Sequence, residues 1–251
     1  APSSTGGFLK SVLKKPSKVL TVVLEYDPAE TVAKNELEVL SSQLRKCGAS
    51  AIWTSDVEAA RTIASEQEGA RGDFPGPCPV ILEGVDPAAA AEVGASGAVL
   101  EAEDAPGGGG GGDDGGGAEA IWRVRSVEDV TRVVEALGGE DAASDAAFLA
   151  ESDDPNVLRD IVSSVPRSAL TVASVIAMQA DDGEVSLPRT VLKPAGCASV
   201  LVRNAIVGDA EDVPYVRHAC AEMTSKRSGE FNFSGLTGST NGHFGGVAGD
   251  G

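Results

Sequence analysis

The sequence predicts an α/β protein closed into a single (β/α)8 barrel. Three observations carry that prediction. Short β-rich runs alternate with helical patterns almost throughout, as a parallel sheet with helical crossovers requires. They read as eight β-then-α units, and 251 residues suit one barrel, which typically takes roughly 250. Hydrophobic residues make up 42% of the chain but aromatics only 4%. The core is therefore aliphatic, which suits buried parallel strands covered by helices. A doubly wound open sheet is the alternative for the same alternation.

The elements follow in order. Leu20–Tyr26 is a β-rich run. Asn35–Lys46 places Leu37, Leu40 and Leu44 on one helical face, and Gly48 stops it. Ser50–Thr54 is the second strand, and Asp56 is placed to cap a helix over Val57–Glu68. A proline-rich lead enters Val80–Leu82. Asp86-Pro87 then has the cap and first-turn proline of a helix start, here running to Val93. Ala98–Glu101 and Ala120–Val124 are the fourth and fifth strands, with Ser126 capping Val127–Leu137. Ala146–Ala150 leads to a helix over Asn156–Ser164. Leu170–Ala177 leads to a short helix near Leu187–Leu192. Ser199–Val202 leads to Val213–Ser225.

Composition narrows the function. A net charge of −18 repels phosphate backbones and speaks against general nucleic-acid binding. Four cysteines, Cys47, Cys78, Cys197 and Cys220, show no CxxC spacing. They form no disulfide framework and suit a reducing compartment. No apolar run approaches the roughly 20 residues that span a bilayer. The first residues, Ala1-Pro2-Ser3-Ser4, resemble what remains after an Ala-Phe-Ala-Pro type plastid presequence of algae with complex plastids is cut. Trimming of the chain gives the same start.

Three segments fall outside the repeat, an N-terminal segment 1–18, an insertion 107–117 and a tail 229–251, and the barrel takes 19–228. Within the first, Gly6–Lys18 carries Phe8, Leu9, Val12 and Leu13 on one face, with Lys10, Lys14 and Lys15 elsewhere. Such a helix either touches an anionic membrane or partner, or closes the bottom of the barrel, the commoner use. Gly107–Gly117 is a linker-like insertion without the Gly-Lys-Ser/Thr ending of a phosphate loop. The tail holds Phe231, Phe233, Leu236 and Phe244 among Gly, Ser, Thr and Asn. Its rings need a surface, either the barrel itself or a partner. Asn232-Phe233-Ser234 matches a glycosylation triplet, a pattern common by chance that also needs a secretory route.

Leu20–Asp56, LTVVLEYDPAETVAKNELEVLSSQLRKCGASAIWTSD, resembles the opening of indole-3-glycerol phosphate synthase, a (β/α)8 lyase of tryptophan biosynthesis. The Gly-Ala-Ser-Ala turn into strand two is part of the likeness. It continues through Pro79–Asp104, Ala120–Leu137 and Gly196–Ile206 and rests mainly on scaffold residues. The resemblance implies where catalytic groups belong, and this chain departs from the family there. The family's first strand carries Glu-x-Lys; Glu25 keeps the first place and Asp27 takes the lysine's. Glu83 stands where a catalytic lysine is expected and Arg123 where strand five offers a glutamate. Glu151 lies near the place of a strand-six asparagine. The strand-seven turn of Gly-Glu-Ser type is missing from Ala173–Gln179. The strand-eight Val-Gly-Glu-Ser reads Val202-Arg203-Asn204-Ala205.

The chemistry of those changes runs one way. Ring closure and decarboxylation need a proton donor and cations for a carboxylate and a phosphate. Acids at 27 and 83 would oppose the anion. At about 4 Å and an effective dielectric near 20, each like-charge contact costs roughly 4 kcal/mol. Arg203 in place of a phosphate-loop glycine blocks backbone approach, although Arg203 and Asn204 can themselves hold an anion. Glu25, Asp27, Glu83, Glu101 and Arg123 are expected to converge at one barrel mouth. They hold either a divalent cation or, the blander expectation, an internal ion-pair network. His218 and Cys220 are two residues apart on a helix and face different sides, and His243 has no neighbour in sequence to work with. The expectation is a barrel without catalysis, metal or cofactor, serving as an accessory subunit of a protein complex in a plastid. An active lyase of the same family, or a related sugar-phosphate enzyme, is the alternative.

Overall fold

The computed structural model describes residues 7–15, 19–27, 34–106, 117–176, 187–207 and 213–224. Eight parallel strands close into a barrel in chain order: β1 (Thr21–Asp27), β2 (Ala51–Thr54), β3 (Val80–Glu83), β4 (Gly97–Glu101), β5 (Glu119–Val124), β6 (Ala147–Ala150), β7 (Leu170–Ile176) and β8 (Ser199–Val207). β8 pairs back onto β1, with Thr21 opposite Ser199 and Leu24 opposite Val202. Closure leaves no sheet edge and sets aside the open-sheet alternative.

The helices are α1 (Phe8–Leu13), α2 (Lys34–Cys47), α3 (Val57–Gly69), α4 (Pro87–Glu92), α5 (Val127–Ala136), α6 (Pro155–Ser164), α7 (Lys193–Ala195) and α8 (Val213–Thr224). Their starts follow from capping chemistry. Asp56 accepts the Ala59 amide at 2.6 Å, Asp86 the Ala89 amide at 2.8 Å and Ser126 the Asp129 amide at 3.1 Å. Asp154-Pro155 repeats the Asp-Pro start at α6, Asp154 accepting from Asn156. Gly48 ends α2 with φ +104°, a conformation a side chain would strain.

Two corrections to the sequence reading concern the last units. β8 runs five residues past Val202 because its end pairs with the end of β1, Ile206 with Tyr26 and Val207 with Asp27. The expected helix near Leu187–Leu192 is a π-helical turn, Pro188–Leu192, leading into α7. Pro188 and Pro194 both lack the amide that regular α-helical pairing uses.

Strand alternation sorts the side chains into two cores. Leu24, Ile52, Leu82, Trp122 and Phe148 point outward and pack beneath the helices. Val23, Ala51, Ile81, Val99, Ile121, Leu149, Val172 and Leu201 fill the barrel.

The bottom of that interior is closed by α1. Leu9 and Leu13 are wholly buried within the barrel core. The Leu9 amide donates to both oxygens of Glu119, at 3.2 and 3.1 Å. Lys10 reaches Asp145 at 2.8 Å, and Lys14 donates to the carbonyls of Arg167, Ser168 and Ala169. The barrel-closing alternative is the one realised. Leu9 and Leu13 are therefore not partner-contact residues, and the helix does not turn its apolar stripe outward to a membrane. Val12 is half-buried, and only Phe8 of the four is exposed. Residues Phe231, Phe233, Leu236 and Phe244, and the insertion up to residue 116, lie outside the described residues. No helix among the described residues is long and apolar enough to cross a membrane.

Candidate active-site mouth

In a parallel barrel the strand ends at the C-terminal rim hold the chemistry. Counting in twos from the interior residues places Glu25 above Val23, Trp53 above Ala51, Glu83 above Ile81 and Glu101 above Val99. The same count places Arg123 above Ile121, Glu151 above Leu149, Ser174 above Val172 and Arg203 above Leu201. The top layer of the barrel is thus built largely of charged side chains, one on each strand except β2 and β7, which supply Trp53 and Ser174.

Arg203 is the hub. Its Nη1 lies 2.7 Å from Glu25 Oε1 and 3.0 Å from Glu83 Oε2. Its Nη2 donates to Glu151, and its Nε donates to Ser174 Oγ at 3.3 Å. The guanidinium also sits 5.3 Å from the Trp53 ring centroid, within cation–π range.

Arg123 is the second hub and is 9% exposed. It donates to Glu83 through Nη2 and to Glu101 Oε1 through Nη1 at 2.7 Å. Its Nε is 3.0 Å from Glu151 Oε2 but is not aligned for a hydrogen bond, so that contact is Coulombic only. Arg125, at the rim, donates to Glu101 Oε2 at 2.9 Å.

Glu83 shows what this arrangement does to a carboxyl. Burial alone would push its pKa up. The Arg203 charge, the Trp53 indole N–H at 2.8 Å and hydrogen bonds from Arg123 and Arg203 hold it below the ordinary carboxylate value. Burial likewise disfavours both guanidinium charges, but the glutamates around them more than compensate, so Arg203 and Arg123 stay protonated.

The structure therefore brings Glu25, Glu83, Glu101 and Arg123 together, as the sequence led one to expect, and adds Glu151 and Arg203. The side chains of Asp27 and Asn204 lie outside the described residues. Trp53, Ser174 and Arg125 were missed by the sequence reading. The period-two alternation that marks Ala51 and Val172 as interior was the signal for Trp53 and Ser174. Between the cation and ion-pair alternatives, the described carboxylates take guanidinium partners. Among the described residues no group of three or more acids, histidines or cysteines is arranged to hold a metal ion.

Chemically the mouth is self-satisfied. Glu25, Glu83, Glu101 and Glu151 face Arg123, Arg125 and Arg203, a formal excess of one negative charge. The guanidiniums of buried Arg123 and half-buried Arg203 are already shared among carboxylates. Glu83, ionised and held low, is a poor proton donor at neutral pH.

No family model matches the chain, and no curated protein matches it. Solved structures do. Native KDPGal matches with a TM-score of 0.55 at 12% identity, over 81% of this chain and 92% of that one. An uncharacterised B. cereus protein matches with a TM-score of 0.54 at 12% identity, over 82% of this chain and 64% of that one. A truncated 3-deoxy-D-arabino-heptulosonate 7-phosphate synthase from Thermotoga maritima matches with a TM-score of 0.51 at 10% identity, over 82% and 86%. The likeness is one of fold. The chain is a (β/α)8 barrel of the architecture these proteins share, and at such identities their activities do not transfer.

Proposed function

We propose that this protein is a non-catalytic barrel, descended from an indole-3-glycerol phosphate synthase-like ancestor, that serves as an accessory subunit of a larger protein complex. The observation that carries the reading is the saturation of Arg203. In the position where the family offers a phosphate-binding glycine, a guanidinium is shared among Glu25, Glu83 and Glu151, and it stacks on Trp53. An anionic substrate would have to displace carboxylates from Arg123 and Arg203, and each displaced acid would then oppose it. The setting proposed for that complex is a plastid, at a photosynthetic membrane. The phenylalanines of the tail supply contacts to neighbouring subunits.

The second reading is an active sugar-phosphate enzyme, favoured by the concentration of charged groups at the catalytic end of the barrel. Turnover of the carboxyphenylamino-deoxyribulose phosphate substrate separates the two. The proposal expects no turnover above the uncatalysed rate and migration of the protein within a larger assembly on a native gel of its source material. Turnover that Glu25→Gln abolishes would establish the enzyme instead.

A further inference from the structure

We infer that the N-terminal end of the barrel is the face that seats against a partner, with Phe74 as its anchor. The inference rests on the accessory-subunit reading and names the surface that reading requires. Six aromatic side chains lie among the residues whose burial is described. Tyr26, Trp53, Trp122 and Phe148 are buried, whereas Phe74 is 100% exposed and Phe8 55%. Both exposed rings lie at the same end. Phe8 begins α1 beside Glu119 at the start of β5, and Phe74 sits in the loop between α3 and β3.

Phe74 is held out by a built support. Arg45, buried on α2, donates to the Pro75 carbonyl at 2.8 Å, pairs with Glu66 at 2.9 Å and lies 3.7 Å from Asp73. Glu66 in turn accepts from Ser41 and Gln67, and Gln67 accepts the Cys78 amide at 2.8 Å. A buried charged network thus fixes both ends of the loop whose tip is a bare ring. A loop whose backbone is so anchored has less freedom left to lose when its ring docks into a socket.

A third feature converges on the same end. α8 runs down to it, with Cys220 beside Gly48 at the C-terminal end of α2.

The occupant follows from charge. Two copies of a −18 chain repel one another, which disfavours self-association through this face. Asp73, next to Phe74 in sequence, is exposed, and a few residues earlier Glu68 stands exposed in an ion pair with Arg71, so pushing the ring into a bilayer would bring these charges against lipid. The fitting partner is a protein subunit with an apolar pocket rimmed by lysine or arginine.

The test places a photo-crosslinking benzoylphenylalanine at position 74 of the full chain and, as a control, at exposed Val39 on α2. Both proteins are exposed to native extract of the source material. The expected result is a crosslink from position 74, not 39, to one defined peptide that carries apolar and basic residues. Excess wild-type chain should suppress it at least tenfold more effectively than excess Phe74→Ser. A crosslink to lipid or to a second copy, equal crosslinking from position 39, or equal competition by Phe74→Ser would overturn the inference. A chain that enters a larger assembly equally well as Phe74→Ser defeats the inference and spares the accessory-subunit reading. A wild-type chain that migrates alone in the extract defeats both.

Discussion

Arg203 on β8 and Glu83 on β3 meet across the barrel mouth, Nη1 to Oε2 at 3.0 Å, although 120 residues separate them in the chain. That contact makes the rim one electrostatic unit, because Glu83 also accepts from Arg123 and from the Trp53 indole.

Removing the hub should therefore expose three acids at once. Arg203→Met strips Glu25, Glu83 and Glu151 of their shared cation while keeping side-chain bulk. Breaking one side of a largely buried ion-pair cluster typically costs about 3–5 kcal/mol. Urea unfolding at neutral pH should show a loss of that order, shrinking as the solution is acidified and the stranded carboxylates protonate. A loss below about 1 kcal/mol would mean that water already screens the cluster.

Two carboxylates should titrate in opposite senses. Glu83 is held below its ordinary value near 4.5, so its contribution to stability is complete above that pH and is lost as pH falls through the folded value. Glu119 is pushed up by burial, against the hydrogen bonds from the Leu9 and Phe8 amides. Its ionised form is therefore penalised in the fold, and the penalty grows as pH rises above about 4.5 and levels off past the folded value. Thermal unfolding checks both. The stability advantage of wild type over Glu83→Gln should narrow as pH falls below 4.5. Glu119→Gln should gain on wild type as pH rises from the same point. The same trend in both variants would contradict the assignment.

The floor of the barrel should show coupling between α1 and β4. A Cβ on Gly97 would lie 2.7 Å from Leu9 Cδ1, with Ile121 and Ile81 at 3.3 and 3.4 Å. Gly97→Ala should therefore cost about 1–3 kcal/mol by overpacking, and Leu9→Ala about 2–5 kcal/mol by opening a cavity. In the double variant the new methyl enters the vacated space. Its combined loss should fall short of the sum by at least about 0.5 kcal/mol. Strict additivity in denaturant unfolding would place α1 elsewhere.

What the sequence revealed followed distance along the chain. The caps at Asp56, Asp86 and Ser126 and the stop at Gly48 are local, and each does in the structure what its neighbours imply. Glu25, Glu83, Glu101 and Arg123 were legible as a cluster because strand ends in a barrel share one rim. The role of Arg203 was not. It was read as a changed phosphate contact, since its partners Glu25 and Glu151 lie 178 and 52 residues away and only closure of β8 onto β1 brings them within reach. The end of β8 was missed for a related reason. Arg203-Asn204 interrupts the apolar run, and pairing with Tyr26 and Asp27 carries the strand on. Of the two uses open to the α1 stripe, barrel closure, the commoner, is realised and partner contact at Leu9 and Leu13 is not; the stripe by itself does not say which apolar surface it covers.

Among the described residues, each guanidinium of the mouth is already held by carboxylates, which leaves none free for an anionic substrate. Isothermal titration of the full chain with inorganic phosphate and with the carboxyphenylamino-deoxyribulose phosphate tests it most directly. Neither ligand should give a saturable heat. Saturable one-to-one binding that Arg203→Met abolishes would contradict it.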